Sequence, residues 1–173
     1  MRQMKKLLLI IVTVLFAGAS FSQSIDEGKR FLYFEKFQSA KNVFQKLSAA
    51  NPNDETAAYY YGQSLIGLED IAGAKTFYQQ RLSANPNSPL LLAGMGHVEL
   101  LEGKNADARN RFETAISLSG GKRIDVLNAV GAPNSDPEIK NGDAAYAIAK
   151  LRQATTIKGF KDPEVWANLG DAY

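Results

Sequence analysis

The stretch "GAKTFYQQRLSANPN", Gly73 to Asn87, pairs a small residue with an aromatic one four places on, Ala74 with Tyr78, and closes on Asn-Pro-Asn. The same pair stands 34 residues earlier as Ala40/Phe44 in "SAKNVFQKL", and 34 later as Ala108/Phe112 in "DARNRFETAI". Gly28, Gly62 and Gly96 keep that interval, as do Pro52 and Pro86, both inside "NPN". Three independent markers held in one register define a repeating unit.

The unit has a physical reading. Residues four apart share one face of a helix, so each small residue lets a neighbouring backbone approach while the aromatic fills the gap beside it. The glycine ahead of each pair belongs to a first helix that approaches the second closely. Pro52 and Pro86 end one helix and start the next, with polar Asn, Asp and Ser neighbours able to cap. The pattern predicts helices over 23–34, 37–50, 55–68, 71–84, 89–102, 105–118, 122–131, 143–157 and 163–173.

This spacing resembles the tetratricopeptide repeat (TPR), whose unit reads W-x2-L-G-x2-Y, then A-x3-F, then P. The closing stretch "DPEVWANLGDAY" carries the first part in full as Trp166, Leu169, Gly170 and Tyr173. Earlier copies are degenerate. Ser24, Ala58, Leu92 and Val126 hold the Trp slot, while Phe31, Leu65 and an unexpected Glu99 hold the Tyr slot. The resemblance implies an all-α, right-handed α-solenoid of helix–turn–helix units, with first helices lining a concave side where partners bind. The expected organisation is a signal peptide at 1–22 and an array at 23–173. Its units fall at about 23–54, 55–88, 89–122 and 123–161, with a half unit at 162–173.

The fourth unit breaks the period. Ala147, Leu151 and Ala154 mark its second helix, yet Ala108 to Ala147 is 39 residues, so about five are inserted. They fall in "GAPNSDPEIKNGD", Gly131 to Asp143, a stretch of turn-forming residues. An enlarged loop over 131–143 is expected there. It reads either as a tolerated surface insertion or as a lip on the groove or a contact for another domain.

The first residues form another kind of segment. Arg2, Lys5 and Lys6 precede the ten-residue run "LLLIIVTVLF", and "AGASFS" follows. A basic start, a short apolar run and small residues make a secretory signal peptide, cleaved after Ala19 or Ser22. Ten residues fall short of the roughly 20 a bilayer span requires. The chain carries 20 Lys and Arg against 18 Asp and Glu. Without the three leader charges the balance is 17 against 18, so nothing electrostatic favours nucleic acid. The leader points to an exported protein, periplasmic first, with the cell surface or secretion as alternatives.

Catalytic chemistry finds little material. The chain has no cysteine, which excludes a thiolate nucleophile, a disulfide framework and a cysteine-ligated zinc. His97 is the single histidine, and a lone histidine on a helix reads as a packed or surface side chain. No G-x-S-x-G, H-E-x-x-H or phosphate loop occurs, and "DPEIKNGD" lacks calcium-loop spacing. The reading is therefore not an enzyme, with no cofactor, no metal and no small-molecule substrate.

What remains is a surface. In the second unit the core face of the first helix is expected to be Ala58, Tyr61, Gly62 and Leu65. Thr56, Tyr59, Gln63 and Ile66 then form the neighbouring stripe turned toward the groove. Equivalent positions are Lys29 and Tyr33, then Ala93, His97 and Leu100, then Leu127 and Gly131. Tyr61 is expected in the core, with Tyr59 and Tyr60 partly exposed as aromatic anchors or as packing between repeats. The candidate contacts are Lys29, Tyr33, Thr56, Tyr59, Tyr60, Gln63 and His97. Relatives that clamp a peptide's C-terminal carboxylate use Lys, Asn and Arg. The matching positions hold Ile25, Lys29, Tyr60, Leu90 and Gly94, so only Lys29 could serve. Two functions follow as expectations. One is an exported scaffold that binds a protein or peptide in its groove. The other is the N-terminal repeat segment of a longer envelope protein whose enzymatic or wall-binding part lies beyond Tyr173, because the last helix presents Trp166 and Tyr173 with no helix to follow.

Overall fold

The computed structural model describes residues 25–173. The expected signal peptide at 1–22 lies outside the described residues. Among the described residues nine helices run in chain order: α1 at 25–33, α2 Phe37–Ala50, α3 Glu55–Gly67, α4 Ile71–Ala84, α5 Pro89–Leu101, α6 Asn105–Leu118, α7 Ile124–Ser135, α8 Ala144–Thr155 and α9 Pro163–Asp171. No strand occurs among them. The helices that carry the small–aromatic pairs, α2, α4 and α6, have the bounds the spacing predicts.

Helix starts are set locally. Asp54 accepts from the amides of Thr56 and Ala57, Asp70 from Gly73, Asp143 from Tyr146 and Asp162 from Glu164. Each satisfies first-turn N–H groups that a helix cannot pair internally. Pro89 and Pro163 occupy first-turn positions, where a missing N–H costs nothing. Helix ends repeat as well. Glu35, Glu69 and Gly103 all have positive φ, at 55°, 61° and 74°. These positions are 34 residues apart, so one left-handed residue closes the first helix of each of the three regular units. In two of them the next amide reaches back in the same way, Lys36 N–H to Phe31 and Lys104 N–H to Glu99, both at 2.8 Å.

The chain divides into two compact units, one ending at Leu68 and the other spanning 69–173. In the described part of the first, Phe44 is fully buried and its ring lies where a Cβ on Gly28 would stand. Ala40, Leu47 and Ala57 complete this core. In the second unit α5 pairs with α6 and α7 with α8, while α5, α7 and α9 lie side by side as one layer of first helices. Phe112 fills the space at Gly96, and Leu151 the space at Gly131; a Cβ would sit 2.6 Å and 2.5 Å from those side chains. α5 is buried around most of its circumference, matching its apolar sequence PLLLAGMGHVELL.

The fourth hairpin differs from the expected loop. α7 runs on to Ser135 through Pro133, so 131–135 are helical and the connection shrinks to 136–143. Pro133 removes one helical bond. Asn134 is buried and donates from Nδ2 to the Val130 carbonyl at 2.9 Å, which supports the turn Pro133 weakens. The connection is pinned rather than loose. Asn141 Nδ2 donates to the Leu100 carbonyl, and the Asp143 amide donates to Asn134 Oδ1, each at 3.3 Å. Register also shifts by one, since Gly131 and not Val130 faces the second helix. Leu127 and Gly131 are therefore buried in the hairpin, which corrects their place on the groove stripe.

Candidate partner-binding surface

Two of the three tyrosines of α3 sort differently from expectation, while Tyr60 is partly exposed as expected. Tyr59 is buried at 8% exposure, whereas Tyr60 and Tyr61 are half-buried. Tyr61 is thus not the core residue, and Tyr59 is not partly exposed. Tyr60 explains the rotation: its ring stacks on Phe44 of α2 at 5.3 Å, which turns the 57–60–61 side of α3 toward α2. Tyr59 meets Tyr60 edge-on at 5.0 Å.

Within the first unit, Lys29 of α1 places its ammonium 5.5 Å from the Tyr60 ring, close enough for a cation–π attraction. Thr56 and Gln63 are half-buried, and Tyr33 is exposed at 77% beside Phe34. Lys29, Tyr60 and Tyr59 are thus linked through rings, while Tyr33 stands at the α1–α2 turn. His97 lies on α5 in the second unit, half-buried, and burial lowers its pKa from 6.5 to about 4. It is neutral at physiological pH. Ala93 and Leu100 beside it are buried. Among the described residues, no group of three His, Asp or Glu side chains could hold a metal ion.

Two clusters escaped the sequence reading. On the layer of first helices, Asn128 of α7 accepts at Oδ1 from Asn168 Nδ2 of α9 at 2.8 Å. The same Asn128 donates to Glu164 at 3.4 Å. All three are half-buried. The one-residue shift at Gly131 is what brings Asn128 onto this face, and a strict 34-residue count hides it. The second cluster belongs to the insertion. Arg109 donates to Asp143 Oδ2 at 2.6 Å and its guanidinium lies 3.3 Å from the Tyr146 ring centre. Hydrogen bonding from the Tyr146 amide, and then the Arg109 guanidinium, hold the Asp143 carboxyl below the usual carboxylate range. Burial first, then the Glu113 carboxylate, push the Tyr146 phenol up. A cleft of about 410 Å³ opens beside this clip, with Asn105, Arg109, Asn141 and Asp143 among its walls.

No helix among the described residues is long and apolar enough to cross a membrane.

Known proteins share this architecture. The profile of the tetratricopeptide repeat family matches residues 31–98. No curated protein matches the sequence. Among solved structures, a thermophilic TPR protein of Thermus thermophilus is similar with a TM-score of 0.61 at 16% identity, covering 88% of this chain and 81% of that one. The Cut9–Hcn1 hetero-tetramer of the APC/C is similar with a TM-score of 0.56 at 20% identity, covering 88% of this chain; this chain spans 30% of that one. Helical hairpins closed at glycine–aromatic contacts, a tetratricopeptide repeat profile over residues 31–98 and similarity to a solved TPR protein agree on a tetratricopeptide-type fold.

Proposed function

We propose that the chain is a non-enzymatic scaffold that takes a protein or peptide segment on the face formed by the first helices of its hairpins. The observation that carries this reading is the Asn128–Asn168 pair. One oxygen and one N–H of Asn128 are engaged by Asn168 and Glu164. The second N–H of Asn128, and the Asn168 oxygen, are left to meet a peptide backbone, whose amides offer both donors and acceptors. Half-buried amides held by each other are pre-oriented, which lowers the ordering cost of binding. Lys29 and Tyr60 offer a cation and a ring on the first helices of the other unit. The Cut9–Hcn1 chain, of similar fold, sits in a hetero-tetramer, which supports a protein partner by analogy of fold alone.

Photo-crosslinking tests this. A photoreactive residue at position 168 is expected to capture a discrete partner in the source cells, and one at Thr114 on the exposed side of α6 is not. Equal capture at both positions, or capture at Thr114 alone, sinks the reading. Export belongs to the same proposal, supported by the basic start and apolar run of residues 2–16. Fractionation with N-terminal sequencing checks it: a mature chain starting at Ser20 or Gln23 is expected, and an intact Met1 in the cytoplasm refutes export.

A further inference from the structure

The inserted crossing of the fourth hairpin builds a cleft of about 410 Å³, a volume typical of small-molecule sites. Its walls come from α6, the ends of α5 and α7, and the crossing that leads into α8. Arg109 and Asp143 are the only charged residues in the lining, and they form an ion pair at 2.6 Å, so the walls carry no net charge. The large apolar residues of the lining are sealed, Leu100 at 3% exposure and Phe112 at 1%. What remains accessible is mainly polar.

The polar groups keep hydrogen-bonding capacity. Asp143 takes a single N–H of the Arg109 guanidinium and leaves the others. Asn141 donates to the Leu100 carbonyl and keeps its own oxygen. Asn105 is exposed and brings a further amide to the same walls. These groups are also held in place. The Arg109 guanidinium lies 3.3 Å from the Tyr146 ring centre, and the Asp143 amide is tied to buried Asn134. Donors and acceptors fixed before binding lower its ordering cost.

We infer that this cleft binds a short, uncharged saccharide. An anion meets Asp143 there and a cation meets Arg109, while an apolar side chain of a peptide finds almost no wall to rest on. A sugar avoids both conflicts. Its hydroxyls donate and accept, and neighbouring pairs of them match the edge of a guanidinium or a carboxylate. No lining residue belongs to the Asn128–Asn168 face, so either reading can fail alone.

Two-dimensional amide NMR of the chain tests the site, with maltose, galactose and N-acetylglucosamine as probes. Saturable shifts are expected at Asn105, Arg109 and 141–144, with millimolar affinity for at least one of these sugars. Asn105→Ala is expected to weaken binding about fivefold, the loss of one hydrogen bond, with thermal melting unchanged. Arg109→Lys keeps the charge but loses the planar donor edge, and should weaken binding about tenfold or more. No saturable shift of these residues at tens of millimolar sugar overturns the proposal, as does an affinity unchanged in Asn105→Ala. So does a cleft that responds to acetate or inorganic phosphate and not to sugar, because its ligand is then an anion. Equal or tighter binding of N-acetylalanine methylamide, a blocked piece of main chain, overturns it too, since the site then reads peptide.

Discussion

Glu99, buried at 5% exposure, accepts from Arg111 Nε through both carboxylate oxygens, at 3.0 and 3.2 Å. The acid that stood oddly in the Tyr slot of the repeat is therefore one half of an ion pair joining α5 to α6. Removing one partner of such a pair leaves an uncompensated charge, which is costlier than never having had the pair. Arg111→Ala is expected to lose about 1–3 kcal/mol in urea unfolding. The double change Glu99→Tyr with Arg111→Leu is expected to be neutral or stabilising. A single mutant as stable as the parent would show that water reaches Glu99.

Gly96 and Gly170 respond oppositely to one methyl group. Gly96→Ala places a Cβ 2.6 Å from Phe112 and should cost about 1–3 kcal/mol through overpacking. Gly170→Ala meets nothing and should gain a few tenths to about 1 kcal/mol by restricting the unfolded chain. Thermal unfolding of the pair decides it.

The left-handed closing residues make a cheap stabilisation test. A non-glycine residue in that conformation costs about 1–2 kcal/mol. Glu35→Gly and Glu69→Gly, at φ of 55° and 61°, should each raise stability by about that order. Gly103→Ala, at 74°, should lower it.

His97 gives the fold a pH dependence with a definite sign. Its folded pKa lies near 4, below the 6.5 of the free side chain. Between those values the unfolded chain binds the extra proton, so stability falls as pH drops from 6.5 toward 4. His97→Gln should flatten stability over that window. The depressed Asp143 and Glu113 carboxyls act in the same direction, but only once pH falls into the carboxylate range. A variant with an unchanged slope would show that His97 protonates freely in the fold.

The insertion should behave as a clip. Arg109→Lys keeps charge but loses the planar guanidinium that lies on Tyr146 and reaches Asp143. Amide exchange over 136–143 should accelerate in this variant, with α5 and α6 unaffected. Uniform acceleration across 69–173 would mean that the clip supports the whole unit.

Much of the fold is legible because small–aromatic pairs and glycines contact each other directly: Phe44 at Gly28 and Phe112 at Gly96 are the contacts the spacing implies. The face of each first helix is harder to read. Tyr59, Tyr60 and Tyr61 are adjacent and equally apolar, so only the stacking of Tyr60 on Phe44 decides which side turns inward. Asn128 is hidden because the fourth hairpin slips by one residue, and one residue is about 100° of helix. α7 outruns its expected end because Pro and Asn read as turn formers, while burial of Pro133 and Asn134 holds them in the helix.

The extra residues of the fourth unit lengthen no helix; they are taken up in the connections, chiefly the pinned crossing at 136–143. The neighbour that matters, α9, still reaches α7 side by side. Length can thus change at this crossing without disturbing the order of the inner layer. Sequence grafted between Asp136 and Lys140 should be displayed at the hairpin's tip, with its neighbours left in phase.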